Sequence, residues 1–379
     1  MDILFAILGA FVVYALQGFL YAHYWNKGLT AEIHFSRSEI GEGESCELKE
    51  IIMNKKMLPV PMLHVKFQTD KSFLFQGEKN ISVSDKCYKN DIFSLMMYQK
   101  ITRTLEFTGT KRGLYQIEKL DLVSSDLFMK ESLLDTVTNR AELLVYPGQV
   151  DGKRIDVLFK NMMGTVLTRQ YSYEDPFEFR GIRQYQSYDS MKDVNWKASA
   201  KTGELKVNVH DYTARQEIMF LLNLQSETML EYESLKEESI RLVNSLAGLF
   251  SAKGVPVGII SNGRDILTQE ELYLPVGSGR PHMQAVRERL ARIDLRQPVR
   301  DVTDTLAERN KEPGLKNNDT LFVMVSYSQR PELYEKFRQI SRESKGCIWL
   351  LPLLPTMEQR IESDQELAVI RWEVPDERA

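Results

Sequence analysis

The side chains best suited to binding are concentrated in one stretch, FRGIRQYQSYDSMKDVNWKASAKTGELKV (Phe179–Val207). Arg180, Arg183, Lys192, Lys197, Lys201 and Lys206 alternate there with Tyr185, Tyr188 and Trp196. Cations between aromatic rings suit two chemistries. One is a nucleic acid, with phosphates on the cations and bases stacked on the rings. The other is a protein partner, since Trp, Tyr and Arg dominate the energetics of such interfaces. The packed edge of a domain uses the same residue types with no ligand at all. Charge weighs against the first: 49 Lys and Arg against 53 Asp and Glu leave a net charge of −4. A chain with no basic excess has no general attraction for phosphate, and no nucleic-acid partner is expected.

Catalytic patterns are missing. The sequence holds no GxSxG elbow, no phosphate-binding P-loop, no HExxH and no glycine fingerprint after a strand. Five histidines occur, no two at metal-ligand spacing, and the three cysteines (Cys46, Cys87, Cys347) form no CxxC pair. Sparse, odd cysteines argue against a disulfide framework and suit a reducing compartment. Cys347 opens an apolar run and reads as a buried thiol rather than a nucleophile. GSGR (Gly277–Arg280) precedes a helical pattern and reads as a loop. The expectation is a protein that is not an enzyme and needs no cofactor.

The chain is long enough, at 379 residues with 43% hydrophobic, for two or three domains with real cores. Ile3–Ala22, ILFAILGAFVVYALQGFLYA, has one polar member, Gln17. As a helix it rises roughly 30 Å, one bilayer core. Tyr21, Tyr24 and Trp25 follow as an interfacial belt would. A cleaved signal peptide fits poorly, because no Lys or Arg precedes the run and no A-x-A-like site follows it. Asp2 before the span and Lys27 and Arg37 after it favour a cytoplasmic body on a single-pass anchor, residues 1–26. Residues 29–146 show short, partly alternating runs separated by turns, which predicts an antiparallel β-sandwich. From 211 to 379 apolar strands such as EIMFLLNL (Glu217–Leu224) alternate with amphipathic helices, which predicts a doubly wound α/β domain. TMEQ (Thr356–Gln359) matches a capping box and predicts a last short helix. The fold class expected is α+β multidomain, with residues 150–210 as a linking segment.

This order resembles the domain-of-unknown-function-58 family. GTKRGLYQIEKLDLVSSDLF (Gly109–Phe128) is similar to its RRG-x-Y strand pair, and LLVYPG (Leu143–Gly148) to its VYP junction. Asp175–Val207 is similar to its signature, matched at Arg183, Tyr185, Asp189, Trp196, Lys197, Ser199 and Ala200. Two positions depart from it: Tyr188 stands where the family has Gly, and Lys192 where it has Arg. Within the segment, Asp189 reads as the N-cap of a short helix and Trp196 as a residue packed on the core. The sharper alternative is a docking surface formed by Arg180, Arg183, Tyr185, Asp189, Lys192, Trp196 and Lys197.

The resemblance implies a C-terminal domain like a von Willebrand factor A domain. Such domains hold a divalent ion with D-x-S-x-S after the first strand, oxygen ligands that suit Mg²⁺. The matching stretch here is NLQSET, with Asn223, Gln225 and Glu227 at the three positions. The expectation is a decayed site without metal. The resemblance also implies a MoxR-type AAA+ ATPase as partner, and a membrane-anchored, protein-binding adaptor that helps assemble or remodel other proteins. The alternative is an outward-facing, metal-dependent adhesion-type receptor.

Overall fold

The computed structural model describes residues 2–375, apart from 76–80, 84–86, 127–131, 151, 171–178, 187–188, 211–216, 229–230, 310–319, 344–345 and 365–366. It divides into two units, Met1–Gly148 and Gln149–Ala379.

The first unit opens with helix α1 (Asp2–Tyr24). Its segment Ile3–Tyr24, of mean hydropathy 2.3, is long and apolar enough to cross a membrane. Among the described residues ten strands follow: β1 (Leu29–Phe35), β2 (Glu39–Gly41), β3 (Ser45–Asn54), β4 (Val60–Thr69), β5 (Phe73–Phe75), β6 (Ile81–Val83), β7 (Cys87–Leu95), β8 (Lys100–Gly109), β9 (Gly113–Ser125) and β10 (Ser132–Tyr146). They form a four-stranded sheet, β1-β3-β8-β5, and a six-stranded sheet, β2-β10-β9-β4-β7-β6. Alternation is strict in β7, whose residues are buried and exposed by turns, as expected of a strand with one face on a core. Leu48 and Ile52 of one sheet share an apolar cluster with Leu63 and Val65 of the other. Tyr21 and Trp25, 1% and 4% exposed, belong to the same cluster. The end of α1 is thus part of the sandwich core.

The second unit holds α2 (Gly152–Gln170), a small β-ribbon of β11 (Phe179–Gln184) and β12 (Lys206–His210), and α3 (Trp196–Thr202) between them. Beyond these lie β13 (Glu217–Leu222), α4 (Glu233–Ala252), β14 (Val257–Asp265), β15 (Glu271–Gly277), α5 (Arg280–Ala291), β16 (Ile293–Asp294), α6 (Val302–Arg309), β17 (Thr320–Val325), α7 (Pro331–Glu343), β18 (Cys347–Leu353) and β19 (Leu367–Glu373). They build a sheet of order β15-β14-β13-β17-β18-β19, with β16 paired to β14. β14, β13, β17, β18 and β19 run parallel to one another, and β15 closes one edge antiparallel. All of β17 and β18 is buried, as strands covered on both faces must be. On α4, Leu235, Leu242, Val243, Leu246 and Phe250 are buried. Gly254, at φ +77° just past the helix, takes the left-handed conformation that a C′ residue requires.

Two expectations are corrected. TMEQ opens no helix: Thr356–Gln359 is a turn and extended chain, with the Met357 N–H donating to the Leu354 carbonyl. The apolar period that would continue a helix is missing, and the chain goes on into β19. Asp189 caps no helix either, for reasons given below.

Candidate functional site

In the signature module β11 and β12 pair antiparallel, with Ile182 opposite Asn208, Arg183 opposite Val207 and Gln184 opposite Lys206. A 3-10 turn (Met191–Asp193) and α3 fill the connection. The caps explain why it folds this way. The Ser190 hydroxyl accepts from the Lys192 N–H. The Asn195 side chain accepts from the Ala198 N–H at 2.9 Å and its amide donates to Asn208 at 2.7 Å. Asn is among the best N-caps because its side-chain oxygen reaches an orphan N–H of the first turn. Gly203, at φ 74°, closes α3 and donates its N–H to Ser199. Buried Ser199 bridges the two ends of the segment. Its hydroxyl donates to the Asn195 carbonyl and accepts from the Lys206 N–H, both at 2.8 Å.

Asp189 is taken up by Arg183. The guanidinium donates twice to the carboxylate, at 2.6 and 2.5 Å, a bidentate pairing. The Gln186 N–H adds a third bond at 2.7 Å. These contacts, the Arg183 hydrogen bond first, hold the Asp189 carboxyl below the usual carboxylate range. With its oxygens committed there, Asp189 has no capping role, and Ser190 and Asn195 cap instead.

Trp196 overturns the packing expectation. It sits in the first turn of α3 with 61% of its surface exposed. Lys192 and Lys197 beside it in sequence are exposed, as are the apolar side chains of Ile182, Met191 and Leu205. Tyr185 is half-buried, and its N–H bonds the Leu205 carbonyl. Arg180 lies on β11 with its side chain outside the described residues, as does Tyr188 altogether.

A second site lies at the C-terminal ends of the parallel strands. In sequence order the sheet turns between β13 and β17, the switch point where open α/β sheets bind ligands. Asn223 follows β13 there and is fully buried. Its amide donates to the Ser326 hydroxyl after β17, and its oxygen accepts from Asn262 of β14, both at 2.9 Å. The same oxygen takes the Gln225 N–H at 3.0 Å. The Gln225 oxygen accepts from Arg330 at 2.5 Å, and Arg330 reaches Asp301 at 2.9 Å. Burial raises the Asp301 carboxyl, but bonds from Thr303 and Arg330 outweigh it and hold the group below its ordinary value. Glu227 is bound by Arg360 at 2.6 Å.

The three positions that sequence reading assigned to a decayed metal site therefore share one loop cluster, with their oxygens already occupied. Two guanidinium groups reach this cluster, Arg330 on Gln225 and Arg360 on Glu227. Among the described residues, no group of three or more His, Cys, Asp or Glu is placed to hold a metal ion. Sequence reading missed Asn262, Asp301 and Arg330. Each is far from NLQSET along the chain, so no spacing rule links them.

The family model described as Protein of unknown function DUF58 matches residues 181–346. The matched stretch covers most of the signature module and the sheet as far as β17. No curated protein matches the chain. Among solved structures, similarity is found to a CARDB domain from Pyrococcus furiosus in complex with di-metal ions (20% identity, 31% of this chain and 91% of that one, TM-score 0.21). A non-cellulosomal cohesin from Archaeoglobus fulgidus shares 11% identity over 31% of this chain and 91% of its own, TM-score 0.22. A type I cohesin–dockerin complex from Clostridium thermocellum shares 12% over 31% and 99%, TM-score 0.22.

Proposed function

We propose that the protein is a membrane-anchored, non-enzymatic adaptor that docks a protein partner on its signature module and works with a MoxR-type AAA+ ATPase in assembling or remodelling other proteins. The observation that carries this reading is the exposure of Trp196. A large aromatic left in solvent, with Met191 of the same module also exposed, is the kind of side chain enriched at protein-docking surfaces. The caps and the Arg183–Asp189 pair tie the described parts of this segment together, and order formed before binding lowers its entropic cost.

Two further observations support it. Tyr21 and Trp25 are built into the sandwich core, which suits a permanent anchor better than a segment removed by cleavage. The second unit is read as von Willebrand factor A-like on its strand order, β15-β14-β13-β17-β18-β19 with one antiparallel edge. At its switch point the oxygens of Asn223, Gln225 and Glu227 accept from N–H groups, those of Arg330 and Arg360 among them, which supports the reading without a metal over the metal-dependent receptor. The test is co-purification of an ATPase with the solubilised full-length chain, lost on Trp196→Ala.

A further inference from the structure

The end of the first unit that meets α1 carries exposed apolar side chains with no partner in the fold. α1 is buried at Gln17 and Tyr21, and Trp25 just past its end continues the same i, i+4 stripe. The Gln17 amide donates to Asp126 at 3.1 Å, and the Tyr21 hydroxyl donates to the Pro59 carbonyl at 2.8 Å. Lys56 donates to the Trp25 carbonyl. The sandwich therefore reaches up beside the last two turns of the helix. From Ile3 to Leu16 the helix rises only roughly 20 Å, against about 30 Å of hydrocarbon in a bilayer. On the reading that α1 spans a membrane, this end of the sandwich must enter the interfacial layer.

What it presents there fits lipid. The β3–β4 connection carries Met57, 68% exposed, and the β7–β8 turn carries Met96, Met97 and Tyr98, at 66%, 54% and 68%. The two are tied together: Asn54 donates to the carbonyls of both Leu58 and Met96, and the Tyr98 N–H bonds the Lys56 carbonyl. Tyr98 holds φ 52°, a conformation that L side chains adopt at a cost, with its ring in solvent. Lys27 lies over the Tyr24 ring at 4.4 Å, and Lys55 is exposed on the adjoining turn. Aromatic, thioether and lysine side chains beside the end of a span are what the boundary between headgroups and acyl chains accepts.

We infer that Met57, Met96, Met97 and Tyr98 form a collar around the base of α1 that inserts into the headgroup region of the membrane. The collar seats the sandwich on the bilayer as a second, peripheral contact. This rests on α1 being a membrane anchor, and the test separates the two. Cysteines introduced singly at Leu8, Met97 and Arg37 of the full-length chain carry an environment-sensitive dye; Cys46, Cys87 and Cys347 are buried. Arg37 lies beyond β1, at the end of the sandwich away from α1. Met57→Cys serves as a second collar position should Met97→Cys fail to fold. Each protein is reconstituted in vesicles of phosphatidylcholine and phosphatidylglycerol bearing nitroxides near the headgroup or deep in the acyl chains. The expected result is deep quenching at Leu8, shallow quenching at the collar and none at Arg37. Quenching at Leu8 with none at the collar leaves the anchor standing and overturns the collar. Quenching at neither overturns both, and equal quenching at the collar and Arg37 overturns a specific seat.

Discussion

Arg330 and Gln225 meet at 2.5 Å across the switch point of the parallel sheet, joining the loop after β13 to the start of α7. With Asp301 on its other nitrogen, Arg330 already engages the side-chain oxygen that Gln225 could offer to a divalent ion. We therefore expect the full-length protein to melt at the same temperature in millimolar Mg²⁺ or in EDTA. A bound ion at a hundredfold excess over its Kd would add about 2.7 kcal/mol, which calorimetry resolves. Arg330→Met should cost about 1–3 kcal/mol by leaving polar partners unsatisfied; an unchanged melting curve would remove Arg330 from this role.

Asn195 and Trp196 are neighbours with unequal expected effects on stability. Asn195→Ala removes a cap and should cost about 0.5–2 kcal/mol. Trp196→Ala, at a mostly exposed position, should change stability by about 0.5 kcal/mol or less. Denaturant midpoints of the two variants decide this, and a large loss at Trp196 would mean that the ring is packed after all.

Between the sheets of the sandwich, Glu50 of β3 is buried near Asp91 of β7. Arg103 donates to Asp91 at 2.6 Å, and Lys89 lies 3.7 Å from it. Burial first, and then the Asp91 carboxylate, push the Glu50 carboxyl up from 4.5 to about 8. An acid whose folded value is raised holds its proton in the fold, so stability falls as pH rises from about 4.5 to about 8 and levels off beyond. Against Glu50→Gln, which cannot ionise, the wild type should lose ground over that window. Urea midpoints at pH 5, 6.5 and 8 measure it; parallel curves for the two proteins would contradict the assignment.

Trp25 is 4% exposed within the sandwich core, and Trp25→Ala should cost roughly 3–5 kcal/mol. A chain beginning at Asn26 loses Tyr21 as well and should be less stable still. If that truncated chain melts with the wild type, the helix end contributes nothing to the core, and a removable leader is again open.

Long periodic segments were legible in the sequence. The apolar run at β13 and the stripe of α4 could form little else than a buried strand and a core helix. The antiparallel edge strand β15, the short α6 and the final β19 were not marked, because half-buried edge elements carry a weak pattern. Trp196 misled for a simple reason: large apolar residues are usually inside, yet nothing obliges each of them to be. In the sites, local chemistry was readable only where it is local. Asn223, Gln225 and Glu227 stand close together in one loop, and sequence could group them. Arg330 joins them from 105 positions away, a distance across which spacing carries no information.

On the reading proposed above, the exposed signature module docks the partner ATPase. Tagged full-length protein, solubilised from membranes, is purified as wild type and as Trp196→Ala, with melting temperature measured on each. A MoxR-type ATPase should co-purify with the wild type and be lost from Trp196→Ala while the melting temperature stays unchanged. Equal recovery of the ATPase with both proteins, or its absence from the wild type, would contradict it.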